Sequence, residues 1–481
     1  MKIHSIKFNF IMNFIMTASS VIFPLITFPY VSRILLPVGN GKIAFVSSVT
    51  SYFTLFASLG IPTYGIRVCA GVRDDREKLS KTVQEILLIN LVTTVITCFV
   101  YVASVFLIPE FYEEKELFII QIFGMLMNVF AMNWMFSALE QYSYITICNL
   151  AVKTVSLILM FLLVKKPEDY ILYGGITIFA CSASYLFNFI YARHFIKWEK
   201  REAYEFRKHL KPIFVFFAMS AAINVYTNLD VIMLRFMKGN AEVGYYNTAI
   251  KVKSILVTLI TSLGTVLLPR LSYYIKTDKK SAFYQTIVKA VNFVMVVGVP
   301  LMLYFIIFAK ESILLLAGNE YSDSILPMMI LMPTILLIGL SNITGIQILT
   351  PQNRENKVLY SILCGAGIDF ILNIILIPRY ASAGAAFATV MAEVVVLAVQ
   401  CVYLRNMIKT VMKKVSFGKM IVSLVLACAA GWCVKLYVDA HVFLILVVSA
   451  CIFFGIYIGV LLGMREKFVW EILKSVLNMK S

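Results

Sequence analysis

VQEILLINLVTTVITCFVYVASVFLI, residues 83–108, carries a single charge, Glu85, near its start and none over the 23 residues that follow. At about 1.5 Å per helical residue, an uncharged run of that length crosses a hydrocarbon core of roughly 30 Å. Strands of a membrane barrel would read instead as segments of about ten residues with alternating hydrophobicity. Similar runs recur from end to end, near 8–34, 43–66, 83–108, 117–139, 143–164, 170–195, 212–236, 243–268, 284–308, 324–349, 357–378, 383–404, 418–438 and 441–463. Composition agrees, since 60% of the 481 residues are hydrophobic and 14% charged, against about a quarter charged in soluble globular chains. The sequence therefore predicts an all-α integral membrane protein of about fourteen transmembrane helices.

A net charge of +17 could suit nucleic acid, but the basic residues sit in short loops between apolar spans and form no basic face on a soluble domain. Their distribution sets an orientation, because Lys and Arg beside short loops are retained in the cytoplasm. Of the 43, 29 fall on the side holding both termini, nine on the other and five within spans. Both termini are predicted to be cytoplasmic, in a cell inner or plasma membrane. The outer loop with Glu110, Glu113, Glu114 and Glu116 and the inner loop Lys197-Trp198-Glu199-Lys200-Arg201 fit that orientation. The start, Met1 to Lys7, resembles a signal peptide, yet the apolar run continues past Val31 without a small-residue cleavage site and reads as a retained first span.

Catalytic chemistry finds little footing. The nine cysteines lie in or beside apolar spans without a Cys-x-x-Cys pair, which argues against disulfides and zinc. His4, His194, His209 and His441 are scattered, so neither a metal cluster nor a His-centred catalytic site is expected. No Gly-x-x-x-x-Gly-Lys-Ser/Thr phosphate loop occurs. No cofactor is expected, and active transport would draw on a proton or sodium gradient or the membrane potential.

The chain resembles itself at an offset of about 203 residues: Arg67, Asp75 and Arg76 recur as Arg270, Asp278 and Lys279, and Ser58-Leu59-Gly60 as Ser262-Leu263-Gly264. Tyr191-Ala192-Arg193 and Tyr403-Leu404-Arg405 close the sixth and twelfth spans. Six spans per unit is an even number, so the halves form a parallel repeat, and a substrate cavity is expected between them. The division is an N-terminal lobe 1–211, a C-terminal lobe 212–410, and two extra helices with a tail, 411–481.

Polar stripes at helical spacing mark four spans. They are Asn9, Asn13, Thr17, Ser20, Pro24 and Thr27; Ser47, Ser51, Thr54 and Ser58; Ser220, Asn224, Asn228 and Arg235; and Asn247, Lys251, Ser254, Thr258, Ser262 and Thr265. Any one Ser or Thr can satisfy its own backbone, whereas four matching stripes favour a water-filled cavity. Ionisable groups inside a span cost about 2.5–3.5 kcal/mol and so face a bundle interior. Asp230, Lys251, Lys153, Asp369 and Glu393 qualify. Asp230 and Lys251 lie at similar depths and could pair, structurally or as a substrate-exchanging cation. Asp369 and Glu393 also share a depth on consecutive spans, where repulsion would make one a proton carrier and Lys153 could instead neutralise it. Near span ends, Arg33, Arg235, Lys42 and Lys289 reach the interface by default.

Three segments carry a family resemblance. They are Phe28-Pro29-Tyr30-Val31-Ser32-Arg33 through Gly39-x-Gly41 to Leu59-Gly60-Ile61-Pro62-Thr63-Tyr64-Gly65; Asp230-x-x-Met233-Leu234 with Val243-Gly244-Tyr245-Tyr246 and Leu268-Pro269-Arg270-Leu271-Ser272; and Leu372-Asn373, Ile377-Pro378 and Gly384-Ala385-Ala386-x-Ala388-Thr389 leading to Glu393. Over nearly the whole chain it resembles the polysaccharide repeat-unit flippases, the Wzx family, in the superfamily that includes MATE multidrug exporters and lipid II flippases. The resemblance implies a two-lobed, alternating-access carrier of an oligosaccharide joined by pyrophosphate to a polyprenol. A polysaccharide polymerase and a chain-length regulator would be its further partners, with membrane lipids around it and no nucleic acid. By position and charge, Lys251, Arg235, Lys153 and Arg33 are the candidates for binding the anion, and Asp230, Asp369 and Glu393 for ion coupling or charge pairing.

Three other readings compete. A MATE-type exporter of cationic drugs would favour an acidic cavity over one bearing Lys153 and Lys251. A lipid II flippase also carries a pyrophosphate lipid. A polymerase or ligase would resemble its kind in having a long external loop, whereas the longest here is about Lys310 to Asp323.

Overall fold

The computed structural model describes residues 6–199, 204–414, 417–466, 468–471 and 474. Outside them lie the first five residues, Lys200 and Arg201 of the basic loop, and the tail beyond Glu471 apart from Lys474; the side chains of Asn9, Asn13 and Thr265 are likewise undescribed. The described residues form helix and no strand.

In chain order the helices are α1 (Ile6–Ser58), α2 (Ile61–Gly71), α3 (Arg76–Leu107), α4 (Pro109–Tyr112), α5 (Lys115–Asn128), α6 (Asn133–Ala138), α7 (Tyr142–Leu163), α8 (Tyr170–Ala192) and α9 (Phe206–Lys238). There follow α10 (Asn240–Lys276), α11 (Lys280–Ile307), α12 (Ala309–Leu316), α13 (Ile325–Leu331), α14 (Thr334–Ser341), α15 (Glu355–Tyr403), α16 (Arg405–Met412), α17 (Phe417–Tyr437) and α18 (Val442–Gly463). Among the described residues, nine helices are long and apolar enough to cross a membrane, or eleven if each of two bent pairs is one span. The fourteen expected spans fall mainly on helix. The counts differ chiefly because α1 and α15 each run through two of them.

Both long helices are broken where the sequence supplies proline. Leu36, with φ 61 and ψ 174, interrupts α1 immediately before Pro37, whose ring disfavours helical geometry in the residue ahead of it. In α15 the break is Ala381, with φ 47 and ψ −128, three residues after Pro378. There the chain doubles back. In a continuous helix Leu376 and Gly384 would stand about 12 Å apart, yet a Cβ on Gly384 would lie 2.6 Å from the Leu376 carbonyl oxygen. Further along the same seam, a Cβ on Gly365 would meet Val396 at 2.5 Å, and Gln400 Nε2 donates to Ser361 Oγ at 2.9 Å. The residue numbers of these pairs sum to nearly one value, which defines an antiparallel hairpin whose small residues let the arms close.

The chain divides into two compact units, 1–244 and 245–481. Helix α9, the first span of the second sequence repeat, packs in the first unit, antiparallel to the second arm of α1. Ser51 Oγ donates to Asn224 Oδ1 at 3.3 Å and the Tyr52 hydroxyl to the Val225 carbonyl at 3.1 Å. Gly41 and Gly244 bring backbone onto backbone at one end of this seam, Gly41 against Asn240 and Gly244 against Pro37. Gly60, at φ 74, closes the other end against the Phe217 nitrogen, 2.5 Å from where a Cβ would be. The first arm of α1 runs parallel to α7: Thr146 Oγ1 donates to the Met12 carbonyl at 3.0 Å and the Tyr30 hydroxyl to that of Val164 at 2.9 Å, each an offset of 134 residues.

Alternate loops of the first unit gather at opposite ends. One end joins Lys42 to Glu114 at 3.0 Å and Arg235 to Glu113. The other joins Arg73 to Glu140 at 2.8 Å and the Gln84 amide to the Lys197 carbonyl at 2.8 Å. In the second unit α11 lies antiparallel to α18, with the Tyr304 hydroxyl 3.0 Å from Ser449 Oγ and the Tyr457 hydroxyl donating to the Val296 carbonyl at 2.9 Å.

Candidate functional site

The first unit holds four of the seven charged candidates, in unlike states. Lys153, on α7, donates to Ser19 Oγ at 3.2 Å and Ser20 Oγ at 3.1 Å, with its ammonium 5.9 Å from the centre of the Phe23 ring. Among the described residues no carboxylate lies within ion-pairing distance of it. Ser20 belongs to the polar stripe of the first span, so the parallel packing of α1 on α7 brings a stripe residue and a candidate cation together. Arg235 is engaged by Glu113 and stands over the Phe45 ring at 5.6 Å. Arg33 is exposed and donates to the Pro29 carbonyl of its own helix at 2.8 Å. Asp230 is buried on α9.

In the second unit Lys251 is partly buried on α10. Asp369 and Glu393 are both buried on the α15 hairpin, and the Asn373 amide donates to Asp369 Oδ2 at 3.2 Å. The hairpin register puts Asp369 level with Met391 and Ala392, one residue short of Glu393. Asp369 shares a helical face with Ser361 and Gly365, and Glu393 with Val396 and Gln400, the residues that form the seam.

Most hydroxyls of the stripes bond their own helix. Ser20 donates to the Met16 carbonyl at 3.2 Å, Ser58 to that of Thr54 at 2.8 Å, and Thr258 to that of Ser254 at 2.7 Å. Ser47 and Thr54 differ. They line a cavity of about 250 Å³ walled by the second arm of α1 together with α5 and α8. Gln121, Asn128 and Tyr185 of that wall were not singled out from sequence, although Gln121 and Asn128 stand seven residues apart on one face of α5, which is a legible signal.

A second group missed from sequence is the buried set at the end of the unit where α3 meets α9. Glu85 Oε2 lies 2.8 Å from His209 Nε2, and His209 Nδ1 lies 2.6 Å from the Tyr64 hydroxyl. The carboxylate accepts from Nε2–H, which leaves Nδ1 to accept from the phenol. Glu85 also accepts from the Glu205 backbone at 2.8 Å and pairs with Lys208 at 3.0 Å. In the loop, the hydrogen bond from Lys81, with the charge of Lys208, holds the Glu205 carboxyl below its usual range. These contacts tie α2, α3 and the start of α9 together.

Comparison with known proteins adds to this geometry. Residues 6–275 match the family described as polysaccharide biosynthesis protein, and residues 215–375 match the MatE family. A candidate O-antigen transporter of Escherichia coli (strain K12) is 24% identical over 405 residues, 84% of this chain and 97% of that protein. Its counterpart from Shigella dysenteriae is 24% identical over 399 residues, 81% of this chain and 98% of that one. Among solved structures, a lipid II flippase MurJ in an inward closed conformation superposes with a TM-score of 0.77 at 13% identity, covering 94% of this chain and 98% of that one. An outward-facing MATE multidrug transporter gives a TM-score of 0.59 at 14% identity, covering 84% and 95%.

Proposed function

Because the chain belongs to the polysaccharide biosynthesis protein family, we propose that it is a flippase for a polyprenyl-pyrophosphate-linked oligosaccharide repeat unit, the precursor of an O-antigen, capsule or exopolysaccharide. It moves this lipid across the inner or plasma membrane by ion-coupled alternating access. The observation that carries the reading is Lys153, a cation inside a span with two hydroxyls for partners and, among the described residues, no carboxylate. Such a charge is costly in a membrane unless an anion visits it, and the pyrophosphate of the lipid is that anion. Lys251, Arg235 and Arg33 are assigned to the same anion at other points of its passage, Arg235 by exchanging Glu113 for phosphate. The relatives named for O-antigen transport favour this substrate. A lipid II flippase remains the second reading, since the MurJ likeness gives it the same fold and its substrate the same pyrophosphate. The working lobes are taken as 1–211 and 212–410, with 411–481 as additions, and polymerase and chain-length regulator receive the product.

The test is reconstitution. Proteoliposomes carrying the protein should move a fluorescent lipid-linked oligosaccharide to the protected leaflet at a rate that empty vesicles lack, and equal rates would overturn the reading. With 29 basic residues on one side and nine on the other, reporter fusions at either end should report a cytoplasmic location. An external terminus would reverse the assignment.

Asp369, Glu393 and Asp230 are assigned to coupling. Two buried carboxylates within a turn of each other in the hairpin register fit the role of carrying the driving proton. Asp369→Asn or Glu393→Gln should abolish acceleration by an imposed pH gradient while leaving downhill movement measurable. If both variants respond to the gradient as wild type does, the pair is structural.

A further inference from the structure

The cavity in the first unit has a wall of unusual chemistry. Thr54, Gln121, Asn128 and Tyr185 line it, and none of the four has a side-chain hydrogen-bond partner among the described residues. No charged residue belongs to the wall. In hydrocarbon an amide or hydroxyl without a partner costs roughly 2–7 kcal/mol, so four of them on one cavity require an occupant that hydrogen-bonds. A phosphate would need cations, and a hard metal ion would need carboxylates. Neither belongs to this wall. Two amides, each able to donate and accept, a hydroxyl and a phenol instead match a neutral polyhydroxylated ring, whose apolar face suits the Tyr185 ring.

We infer that this cavity is the saccharide subsite, taking one sugar ring of the lipid-linked substrate. The assignment rests on the flippase reading and adds to it where the sugar is held. At about 250 Å³ the space falls below the roughly 300–1,000 Å³ of pockets that take whole drug-sized molecules, so it holds a ring and not the oligosaccharide. The anion has its place beside it: the Tyr144 hydroxyl donates to the Phe187 carbonyl and Ser184 Oγ to Asn149 Oδ1, an antiparallel register of α7 on α8 that puts Lys153 within a turn of Cys181, a residue of the wall. A pyrophosphate at Lys153 and the adjoining sugar in the cavity reproduce the order of groups along the lipid.

The test compares polyprenyl pyrophosphate bearing a single hexose with the same lipid bearing none. In proteoliposomes, the variant with both Gln121→Leu and Asn128→Leu should raise the apparent KM for the hexose lipid about tenfold and leave that for the bare lipid unchanged. Equal KM values for variant and wild type on the hexose lipid would reduce the cavity to hydrated packing and overturn the inference. A second readout does not depend on transport. Alkylation of Cys181 in the wild-type protein by N-ethylmaleimide, followed by mass spectrometry, should be slowed at least threefold by the hexose lipid and not by the bare lipid. If wild type moves neither lipid, the flippase reading fails, and Cys181 still decides the subsite: protection by the sugar supports it and equal alkylation overturns it.

Discussion

Lys153→Ala is expected to slow transport of the lipid-linked oligosaccharide by about 10- to 100-fold while the protein accumulates normally. The magnitude is that of one hydrogen bond to a charged group, about 1.5–3 kcal/mol, withdrawn from the pyrophosphate. Accumulation should hold because the substitution removes a charge whose insertion costs about 2.5–3.5 kcal/mol and which no carboxylate among the described residues offsets. The two hydroxyls it leaves behind are already served, since Ser19 and Ser20 both donate to the Met16 carbonyl, at 2.7 and 3.2 Å. Lys153→Arg keeps the charge and should retain part of the rate. Initial rates in proteoliposomes, normalised to protein, make the measurement; wild-type rates from the Ala variant would make this cation structural and remove the main support for an anionic substrate.

Glu85→Ala should destabilise the first unit by about 3–5 kcal/mol, the usual cost of taking one partner from a buried charged network. Glu85 is fully buried and serves His209, Lys208 and the Glu205 backbone at once. Its removal strands a buried imidazole and loosens the start of α9. Glu85→Gln keeps the shape and one acceptor oxygen and should lose less. Thermal unfolding in detergent checks both, and an unchanged midpoint for the Ala variant would show that the network holds nothing together.

What the sequence made legible follows from the bilayer. Long uncharged runs, and the prolines Pro37 and Pro378 that end them, report local chemistry, so the helices and both breaks could be read without knowing any neighbour. Partners could not. Glu85 reads as a blemish at the head of an apolar run until His209, 124 residues later, is folded against it. Likewise Lys153 was open to neutralisation by a carboxylate on another span, and only the packing of α7 shows hydroxyls there. Helix α9 belongs to the second repeat by pattern and to the first compact unit by contact, because Gly41, Gly60 and Gly244 let backbones meet, and a glycine does not announce which backbone it admits. Gln121 and Asn128 were within reach, being two amides on one face of an otherwise apolar helix.

The parallel seam between the first arm of α1 and α7 has a consequence for synthesis. Each contact spans 134 residues, and ribosomes add about 5–20 residues per second, so the first arm waits roughly 7–27 s in the bilayer before its partner is made. Through that interval its hydroxyls face lipid alone. The bonds that Ser19 and Ser20 make to the Met16 carbonyl, and Thr27 to that of Pro24, are local and need no other helix. They keep the newborn segment soluble in hydrocarbon until Lys153 arrives to share two of those hydroxyls.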